Sequence, residues 1–169
     1  MATTIVLVRH GETDWNHERR FQGHADVPLN EVGRRQAYAL ADALAAETFA
    51  AAYSSPLRRA LETAEIIAAR LDISVEASDA LKEVDVGSWS GLTTTDVEQR
   101  FPEGFRRWTD SRAGGWVDGE TYDELGTRVV AELLEIAKRH PGEHVLAVTH
   151  GGPIRSVLAA AAGLSFTSG

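Results

Sequence analysis

A short apolar run near the amino terminus ends abruptly in polar residues. Ile5–Val8 has the length and β-branched content of a buried strand, and Arg9, His10 and Gly11 follow it directly. In open α/β sheets, ligands bind beyond the carboxyl ends of the strands, so Arg9 and His10 are expected at a binding site. Gly11 permits close approach of backbone to a ligand, and the peptide N–H groups of residues 11–13 are expected to point at an anion. The pattern favours phosphate chemistry.

A second apolar run near the carboxyl terminus repeats this pattern. Val145–Val148 ends in the string Thr149-His150-Gly151-Gly152. Parallel neighbouring strands lie about 4.8 Å apart, so the two imidazoles would meet over one bound group if the strands pair. Taken alone, each histidine is equally compatible with a polar residue that simply ends a strand.

Helical and strand patterns alternate along the rest of the chain. Apolar residues recur at helical spacing over Glu31–Glu47 and Glu120–His140. Further helices are predicted from Ser54-Ser55-Pro56 onward, with the proline in the first turn, and over Pro153–Ala162; further strands are predicted at Ala50–Ser54 and Ile73–Ala77. This alternation predicts an α/β fold, a three-layer α/β/α sandwich with a mostly parallel central sheet.

Composition limits the organisation and the partners of the chain. Its 169 residues, 43% of them hydrophobic, suffice for a single domain over 1–169, in which the polar, tryptophan-bearing stretch at about 93–119 forms a small lid-like insert. The net charge of −8 opposes binding to nucleic acid or to anionic membrane. No stretch reaches the roughly 18 consecutive apolar residues of a membrane span, and no signal segment is present, so we expect a cytoplasmic protein.

The cysteine and histidine content argues against several other kinds of chemistry. The absence of cysteine excludes disulfides, thiolate nucleophiles and cysteine-ligated metals. The six histidines form no helical i, i+4 pair and have no accompanying carboxylate cluster, so no metal site is predicted. We expect surface positions for His17, His24, His140 and His144, and packing roles for Trp15, Trp89, Trp108 and Trp116.

Two internal segments carry further charged candidates. Arg58 and Arg59 fall in the first turn of a helix that follows a strand, about 100° apart, so one should face the crevice and the other solvent. A guanidinium there grips a phosphate with two parallel hydrogen bonds. The loop Leu81–Gly91 offers Glu83 and Asp85 as general acids, but loop carboxylates are usually solvated, and residue chemistry alone does not choose between these two.

Taken together, four strings resemble the signatures of the histidine phosphatase superfamily, also called phosphoglycerate mutase-like, in that family's order. The strings are Arg9-His10-Gly11-Glu12-Thr13, Ser55–Ala64, Leu81-x-Glu83 with Gly87-x-Trp89-x-Gly91, and Thr149-His150-Gly151. The resemblance implies a phosphoglycerate mutase-like fold that needs no cofactor. It also implies roles for individual residues: His10 as the nucleophile that becomes phosphorylated, Arg9, Arg59 and His150 as the phosphate pocket, Glu83 rather than Asp85 as the proton donor, and Asn16, Gln22, Gly23 and Gly151 as substrate-binding positions.

These implied roles make a two-step hydrolysis of a phosphomonoester. Nearby arginines disfavour a second positive charge, so His10 is expected to be neutral and able to attack phosphorus. Arg9, Arg59 and a protonated His150 are expected to stabilise the transferred phosphoryl group without a metal. Glu83 would protonate the departing alkoxide and then activate the water that cleaves phosphohistidine.

Three functions compete within this resemblance. Glu83 and His150 are only 67 positions apart, and Gly152 stands where mutases typically have asparagine, which favours a phosphatase over a 2,3-bisphosphoglycerate-dependent phosphoglycerate mutase. The start of the chain and the Gly119-Glu120-Thr121 step are similar to phosphatases of the α-ribazole phosphatase type, so a small phosphorylated metabolite is the expected substrate. A catalytically silent protein that binds phosphorylated ligands is the third possibility.

The carboxyl terminus departs from the family pattern. Relatives usually continue past the helix over Pro153–Ala162 into a further strand and tail, whereas this chain ends at Ser165–Gly169. Either the sequence is truncated there or the sheet lacks an edge strand. We expect a homodimer, in which a second subunit covers the exposed edge or an apolar helix face.

Overall fold

A computed structural model describes residues 1–111 and 114–163. In these two ranges four strands form one parallel sheet in the order β1-β4-β2-β3. The strands are β1 (Thr4–Arg9), β2 (Ala51–Ser54), β3 (Val75–Ala77) and β4 (His144–Thr149). Arg9 pairs with Thr149, so β1 and β4 end side by side at the same edge, as the two strand-end motifs predicted.

Seven α-helices occur in the described ranges, and most of them connect the strands. They are α1 (Asp14–His17), α2 (Glu31–Ala43), α3 (Arg58–Leu71), α4 (Thr94–Arg100), α5 (Pro102–Ser111), α6 (Tyr122–Arg139) and α7 (Gly151–Ala161). Two short 3-10 turns, Asp79–Leu81 and Gly87–Trp89, flank the segment between β3 and α4 that contains Glu83.

Hydrophobic side chains cover both faces of the sheet. On one face, Tyr53 and Ala147 pack with residues of α6 such as Leu125 and Ile136. On the other, Ala52, Leu146 and Val148 pack with α2 and α3. Because successive residues of a strand point to opposite faces, β2 and β4 contribute to both cores, and the predicted α/β sandwich is confirmed.

Several predicted helix boundaries differ from the structure by one or two residues, such as the start of α7 at Gly151 rather than Pro153. Two larger differences have local reasons. Helix α2 ends at Ala43 rather than Glu47, because tighter hydrogen bonds close its last turn; one joins the N–H of Ala45 to the carbonyl of Asp42 at 3.3 Å. Pro56 does not open a helix. Leu57 has an extended backbone, with its N–H 3.3 Å from Ser55 Oγ, and α3 begins only at Arg58.

The predicted lid-like insert at about 93–119 shares the core of the sheet. Val97 and Trp116 are buried in the α6-side core, and Phe105 and Trp108 pack against it. Residues 112 and 113 of this stretch lie outside the described residues. The same is true of residues 164–169, to which the prediction about a truncated terminus refers.

One side of the sheet is left open in the described part of the chain. There β1 has a strand neighbour only in β4, and its residues Ile5 and Leu7 line an apolar groove together with α6 and α7. None of the helices within 1–111 and 114–163 combines the length and the apolar character needed to cross a bilayer.

Candidate active site

The ends of β1 and β4 bring two histidines together. The backbone N–H of His10 donates to the carbonyl of Thr149 at 3.0 Å, which continues the pairing of the strands by one residue. The imidazole rings of His10 and His150 have centroids 5.1 Å apart, and both residues are buried. The two histidines therefore share one pocket, as the paired strand ends predicted.

His10 is a neutral imidazole whose tautomer is fixed by the backbone. Its Nδ1 lies 2.6 Å from the carbonyl oxygen of Gly11, which can only accept, so Nδ1 carries the proton and Nε2 keeps its lone pair. Burial lowers the pKa of His10 to about 3, with smaller contributions from Arg59 and Arg9. The expected neutrality agrees with this shift, although burial contributes more than the arginines that were expected to cause it.

His150 does not carry the positive charge expected of it. Its pKa is held well below the ordinary histidine value, first by burial and then by the charge of Arg59. Its Nε2 is 2.8 Å from Ser55 Oγ, whereas Nδ1 is buried without a hydrogen-bond partner among the described residues. The expectation of a protonated His150 is wrong for this pocket, because a cation there would be desolvated beside another cation.

Arg59 is the arginine that faces the pocket, and Arg58 faces solvent. Arg59 is 1% exposed; its Nη1 donates to Ala25 O at 2.7 Å and its Nη2 to Gly23 O at 2.8 Å. Its Nε is buried and has no partner within the described ranges. Burial lowers the pKa of Arg59 to about 10, which leaves the side chain cationic at neutral pH. The pocket thus contains a fixed positive charge.

Gly23 acts through its backbone. Its φ is +49°, and a Cβ there would lie 2.6 Å from Val86 Cγ2, so the tight loop excludes a side chain. The carbonyl of Gly23 holds Arg59, which makes this predicted substrate-binding residue a support for the arginine.

Asn16 and Gln22 line the pocket and are oriented by one hydroxyl. Thr13 Oγ1 lies 3.0 Å from Asn16 Oδ1 and 3.1 Å from Gln22 Oε1. Arg9 lines the same pocket, and Gly151 lies beside it, since a Cβ at that glycine would be 3.8 Å from Arg9 Nε. Arg9, Asn16, Gln22 and Gly151 therefore all lie in or beside the pocket that contains His10.

The peptide N–H groups of residues 11–13 are not available to an anion. Each donates to a side chain: the one of Gly11 to Thr63 Oγ1 at 3.1 Å, that of Glu12 to Gln36 Oε1 at 2.9 Å and that of Thr13 to Asn16 Oδ1 at 3.1 Å. The prediction that they point at a bound anion is wrong, because side chains satisfy all three: Thr63 and Gln36 from distant parts of the sequence, and Asn16 from three residues on. The positive charge of the pocket therefore comes from side chains such as Arg9 and Arg59 and not from these peptide N–H groups.

Gly11 is required by a helix rather than by a ligand. A Cβ at Gly11 would lie 2.4 Å from the carbonyl oxygen of Gly33, and a Cβ at Gly33 would lie 2.1 Å from that of Glu12. Two glycines therefore let the end of β1 pack directly on the first turn of α2.

Glu83, not Asp85, is the carboxylate of the pocket. Its Oε1 accepts from the N–H of Val84 at 2.9 Å and its Oε2 from that of Gly152 at 3.2 Å, at the start of α7. Asp85 instead accepts from the N–H of Gly87 at 2.9 Å. Glu83 lines the same cavity as His10 and Arg59, whereas Asp85 does not, so the structure favours Glu83 of the two candidate acids.

Family comparison agrees with this geometry. Residues 5–169 match the model of the histidine phosphatase superfamily, branch 1. The chain belongs to this superfamily.

Several known proteins are similar to this chain over most of its length. A metal-independent phosphoserine phosphatase of Arabidopsis thaliana is 44% identical over 164 residues, 92% of this chain and 67% of the relative. The solved structure of Bacillus stearothermophilus YhfR has a TM-score of 0.92 at 38% identity and covers 98% of this chain and 83% of its own. A phosphoserine phosphatase of Entamoeba histolytica, solved with phosphoserine, has a TM-score of 0.84 at 28% identity; the match covers 98% of this chain and 82% of the other.

The wall of this histidine phosphatase pocket contains residues that the strand-end motifs did not reveal. They are three aromatic residues far from those motifs in sequence and one cation shortly after the second motif: Trp108, Trp116, Tyr122 and Arg155. Arg155 is exposed and has no hydrogen bond or ion pair with any residue in 1–111 or 114–163. Its position four residues after Gly151, on the same helix face, was the available signal.

The remaining histidines lie outside this cluster. His17 and His144 are exposed as predicted, and His24 is exposed although its Nε2 lies 2.8 Å from the carbonyl oxygen of Glu83. His140 is half-buried, 2.9 Å from the hydroxyl of Tyr53, so the predicted surface position is wrong for this residue. Within the described ranges, no three histidine, aspartate or glutamate side chains come together as metal ligands would.

Proposed function

We propose that this protein hydrolyses a small phosphorylated metabolite, a phosphomonoester, through a phosphohistidine on His10 and without a metal ion. One observation carries the proposal. A neutral imidazole with a free Nε2 lone pair lies in one cavity with the cations Arg9 and Arg59 and the carboxyl group of Glu83. Nucleophile, charge stabilisation and proton donor are the parts that phosphoryl transfer through an enzyme intermediate needs.

The first step transfers the phosphoryl group to the enzyme. His10 Nε2 attacks phosphorus, a nitrogen–phosphorus bond forms, and the bond from phosphorus to the ester oxygen breaks. The proton of the Glu83 carboxyl group moves to that oxygen, and the alcohol leaves. Arg9 and Arg59 balance the charge spread over the equatorial oxygens, and His150 contributes as a neutral hydrogen-bonding group.

The second step returns the enzyme to its starting state. The Glu83 carboxylate takes a proton from water while the water oxygen attacks phosphorus. An oxygen–phosphorus bond forms, the bond to His10 Nε2 breaks, and inorganic phosphate leaves. Glu83 again carries its proton, so the cycle closes without a co-reactant.

Gly152 favours hydrolysis over the mutase alternative. A Cβ at this position would lie 2.1 Å from Glu83 Oε1, so the observed placement of the carboxyl group depends on glycine. An asparagine, typical of mutases here, would move Glu83 away from the N–H that it accepts from.

The substrate that fits this pocket has a second negative charge beside its phosphate. Arg155 of α7 lines the pocket and has no partner in the described ranges, whereas Arg9 and Arg59 come from β1 and α3. A carboxylate is the natural partner of a guanidinium. Two of the similar proteins are phosphoserine phosphatases, and phosphoserine carries such a carboxylate. We therefore propose a small phosphorylated acid.

The catalytic proposal is tested by phosphate release from p-nitrophenyl phosphate with EDTA present, in the native protein and in His10→Ala. We expect release that resists EDTA and is lost in the variant. A mutase assay on 3-phosphoglycerate, with and without 2,3-bisphosphoglycerate, runs beside it. Turnover there would establish the mutase, and native protein that binds vanadate but turns over neither substrate would establish a silent binding protein.

The substrate proposal is tested by comparing O-phospho-L-serine with O-phosphoethanolamine, which lacks only the carboxylate. Arg155→Gln should lower kcat/KM for phosphoserine by about tenfold, the size of one exposed charge-assisted contact, and leave phosphoethanolamine unchanged. Arg35→Gln, an exposed arginine of α2 outside the pocket, is the matched control. Equal loss for both esters would refute a carboxylate site at Arg155.

A further inference from the structure

Arg128 of α6 lies outside the pocket but binds the segment that carries Glu83. Its guanidinium donates to three carbonyl oxygens of that segment: Nη1 to Ala80 at 2.7 Å and to Lys82 at 2.9 Å, and Nη2 to Glu83 itself at 2.9 Å. Arg128 is half-buried. Hydrogen bonds from a charged donor in such a place are stronger than those between neutral groups.

Glu120 fixes the plane of this guanidinium. Its carboxylate accepts from Arg128 Nε at 2.6 Å and from Nη2 at 2.8 Å, and the two side chains are only 16% and 24% exposed. The N–H of Glu120 donates to the carbonyl oxygen of Asp85 at 2.8 Å. The pair therefore holds the segment on both sides of Glu83.

The segment depends on such contacts because it contains no α-helix and no strand. Residues 82–86 lie between the 3-10 turns Asp79–Leu81 and Gly87–Trp89, and Ala80 lies within the first turn, so the carbonyl groups that Arg128 binds belong to no strand ladder. The carboxyl group of Glu83 is itself held by two peptide N–H groups, the longer at 3.2 Å. The backbone position thus decides where the carboxyl group lies, and a displacement of about 1 Å costs about 100-fold in rate when a reacting group is misplaced.

We infer that Arg128, oriented by Glu120, is a positioning residue that holds Glu83 where its proton reaches the leaving oxygen. Arg128 does not touch the substrate. The inference rests on the proposed function, in which Glu83 is the proton donor.

A positioning role predicts a dependence on the leaving group. kcat/KM reports the steps up to transfer of the phosphoryl group to His10. An alkoxide leaves poorly without a proton, whereas p-nitrophenolate is weakly basic and needs little help. Loss of Arg128 should therefore lower kcat/KM for an alkyl phosphate much more than for p-nitrophenyl phosphate. A purely structural role would lower both alike.

The test measures kcat/KM of the full chain on O-phosphoethanolamine and p-nitrophenyl phosphate in Arg128→Lys, Arg128→Gln and Glu120→Gln. Each variant should lose at least about tenfold more on the alkyl ester, a part of what a general acid contributes. Arg128→Lys keeps the charge and loses the forked contacts, so it tests the inference even where Arg128→Gln fails to fold. Arg139→Gln removes an ion pair of the same helix, with Glu76, and should leave both values unchanged.

Glu83→Gln, measured in parallel, separates the two proposals. If it shows the leaving-group dependence and the Arg128 and Glu120 variants do not, the positioning role is wrong and the proposed mechanism stands. If Glu83→Gln lowers kcat/KM equally for both esters, Glu83 is not the proton donor, and the mechanism falls together with the role of Arg128. The inference holds only where Glu83→Gln, Arg128→Lys and Glu120→Gln share the dependence, together with Arg128→Gln if that variant folds.

Discussion

At the scale of single residues, the pocket chemistry depends on two buried imidazoles. Burial and the nearby charge of Arg59 lower the pKa values of both His10 and His150, so their neutral forms are favoured. A neutral His10 is a nucleophile, but its burial has a thermodynamic cost that increases in acid, because only the unfolded chain accepts the proton readily.

This cost predicts how stability depends on pH. The folded pKa of His10, about 3, lies below the ordinary value of 6.5, so the free energy of unfolding falls as pH falls between these values. For one group the slope approaches about 1.4 kcal/mol per pH unit. His10→Asn removes it, and urea unfolding between pH 6 and pH 4.5 should show a correspondingly shallower dependence.

His150→Asn should change the slope in the same direction, because its folded pKa is lowered too. If both variants kept the native slope, the two imidazoles would not be buried in their neutral forms.

Strand ends were sufficient to predict that His10 and His150 lie at one edge of the sheet, and helix geometry that one of Arg58 and Arg59 faces it, because both are local properties. They were not sufficient for Glu83. That side chain is chosen over Asp85 by a contact with Gly152, which is remote in sequence and comes near only through the fold. The protonation state of His150 was mispredicted for a similar reason, since the depth of burial is not a local property.

At the scale of elements, the backbone that follows β1 packs directly on the backbone of the first turn of α2. Asn30 caps α2 with its Oδ1 on the N–H of Gly33 at 2.9 Å, and its own N–H donates to the carbonyl of Glu12 at 3.0 Å. The glycine contact described above completes this junction. His10, the proposed nucleophile, thus directly follows a strand whose end is held by the first turn of a helix.

Gly33→Ala should disturb this junction. The new methyl group would meet Glu12 O at 2.1 Å, and backbone cannot yield as a side chain does. We expect a loss of about 1–3 kcal/mol in the free energy of unfolding, the usual cost of overpacking, with a lower kcat. Gly126→Ala in α6 is the control, since the nearest atom to its new methyl group would be Ser156 Cβ of α7, at an ordinary contact distance of 3.6 Å. It should stabilise by about 0.5–1 kcal/mol. A Gly33→Ala protein as stable as the native one would contradict this direct packing.

The elements themselves were largely predictable, and their ends were not. Apolar periodicity indicated α2, α3, α6 and the two strands of the site, because each buries one face or both. Helix ends depend on single hydrogen bonds, such as those around Leu57 and Ala45, which periodicity does not register.

At the scale of the whole molecule, the open side of β1 bears on assembly. The groove beside it is lined by apolar residues such as Leu7, Val130 and Val157, and Leu134 on its border is 58% exposed. Apolar surface beside a strand edge favours association, so a homodimer stays our prediction. Sedimentation velocity should show twice the 18.3 kDa chain mass, and Leu134→Glu should shift it to the monomer. A monomeric native protein would refute the prediction.

The aromatic wall of the pocket is also part of the core. Trp116 lines the cavity yet is 7% exposed and packs 5.4 Å from the ring of Trp89, while Trp108 lies 5.2 Å from Phe21. A mutation that reshapes this wall for another leaving group therefore also repacks the interior. Arg155, the proposed carboxylate site, is exposed, so its substitution should cost less folding free energy than substitution of a buried tryptophan. If specificity changes in evolution, we expect it to change first at Arg155, because later mutations depend on the stability that remains.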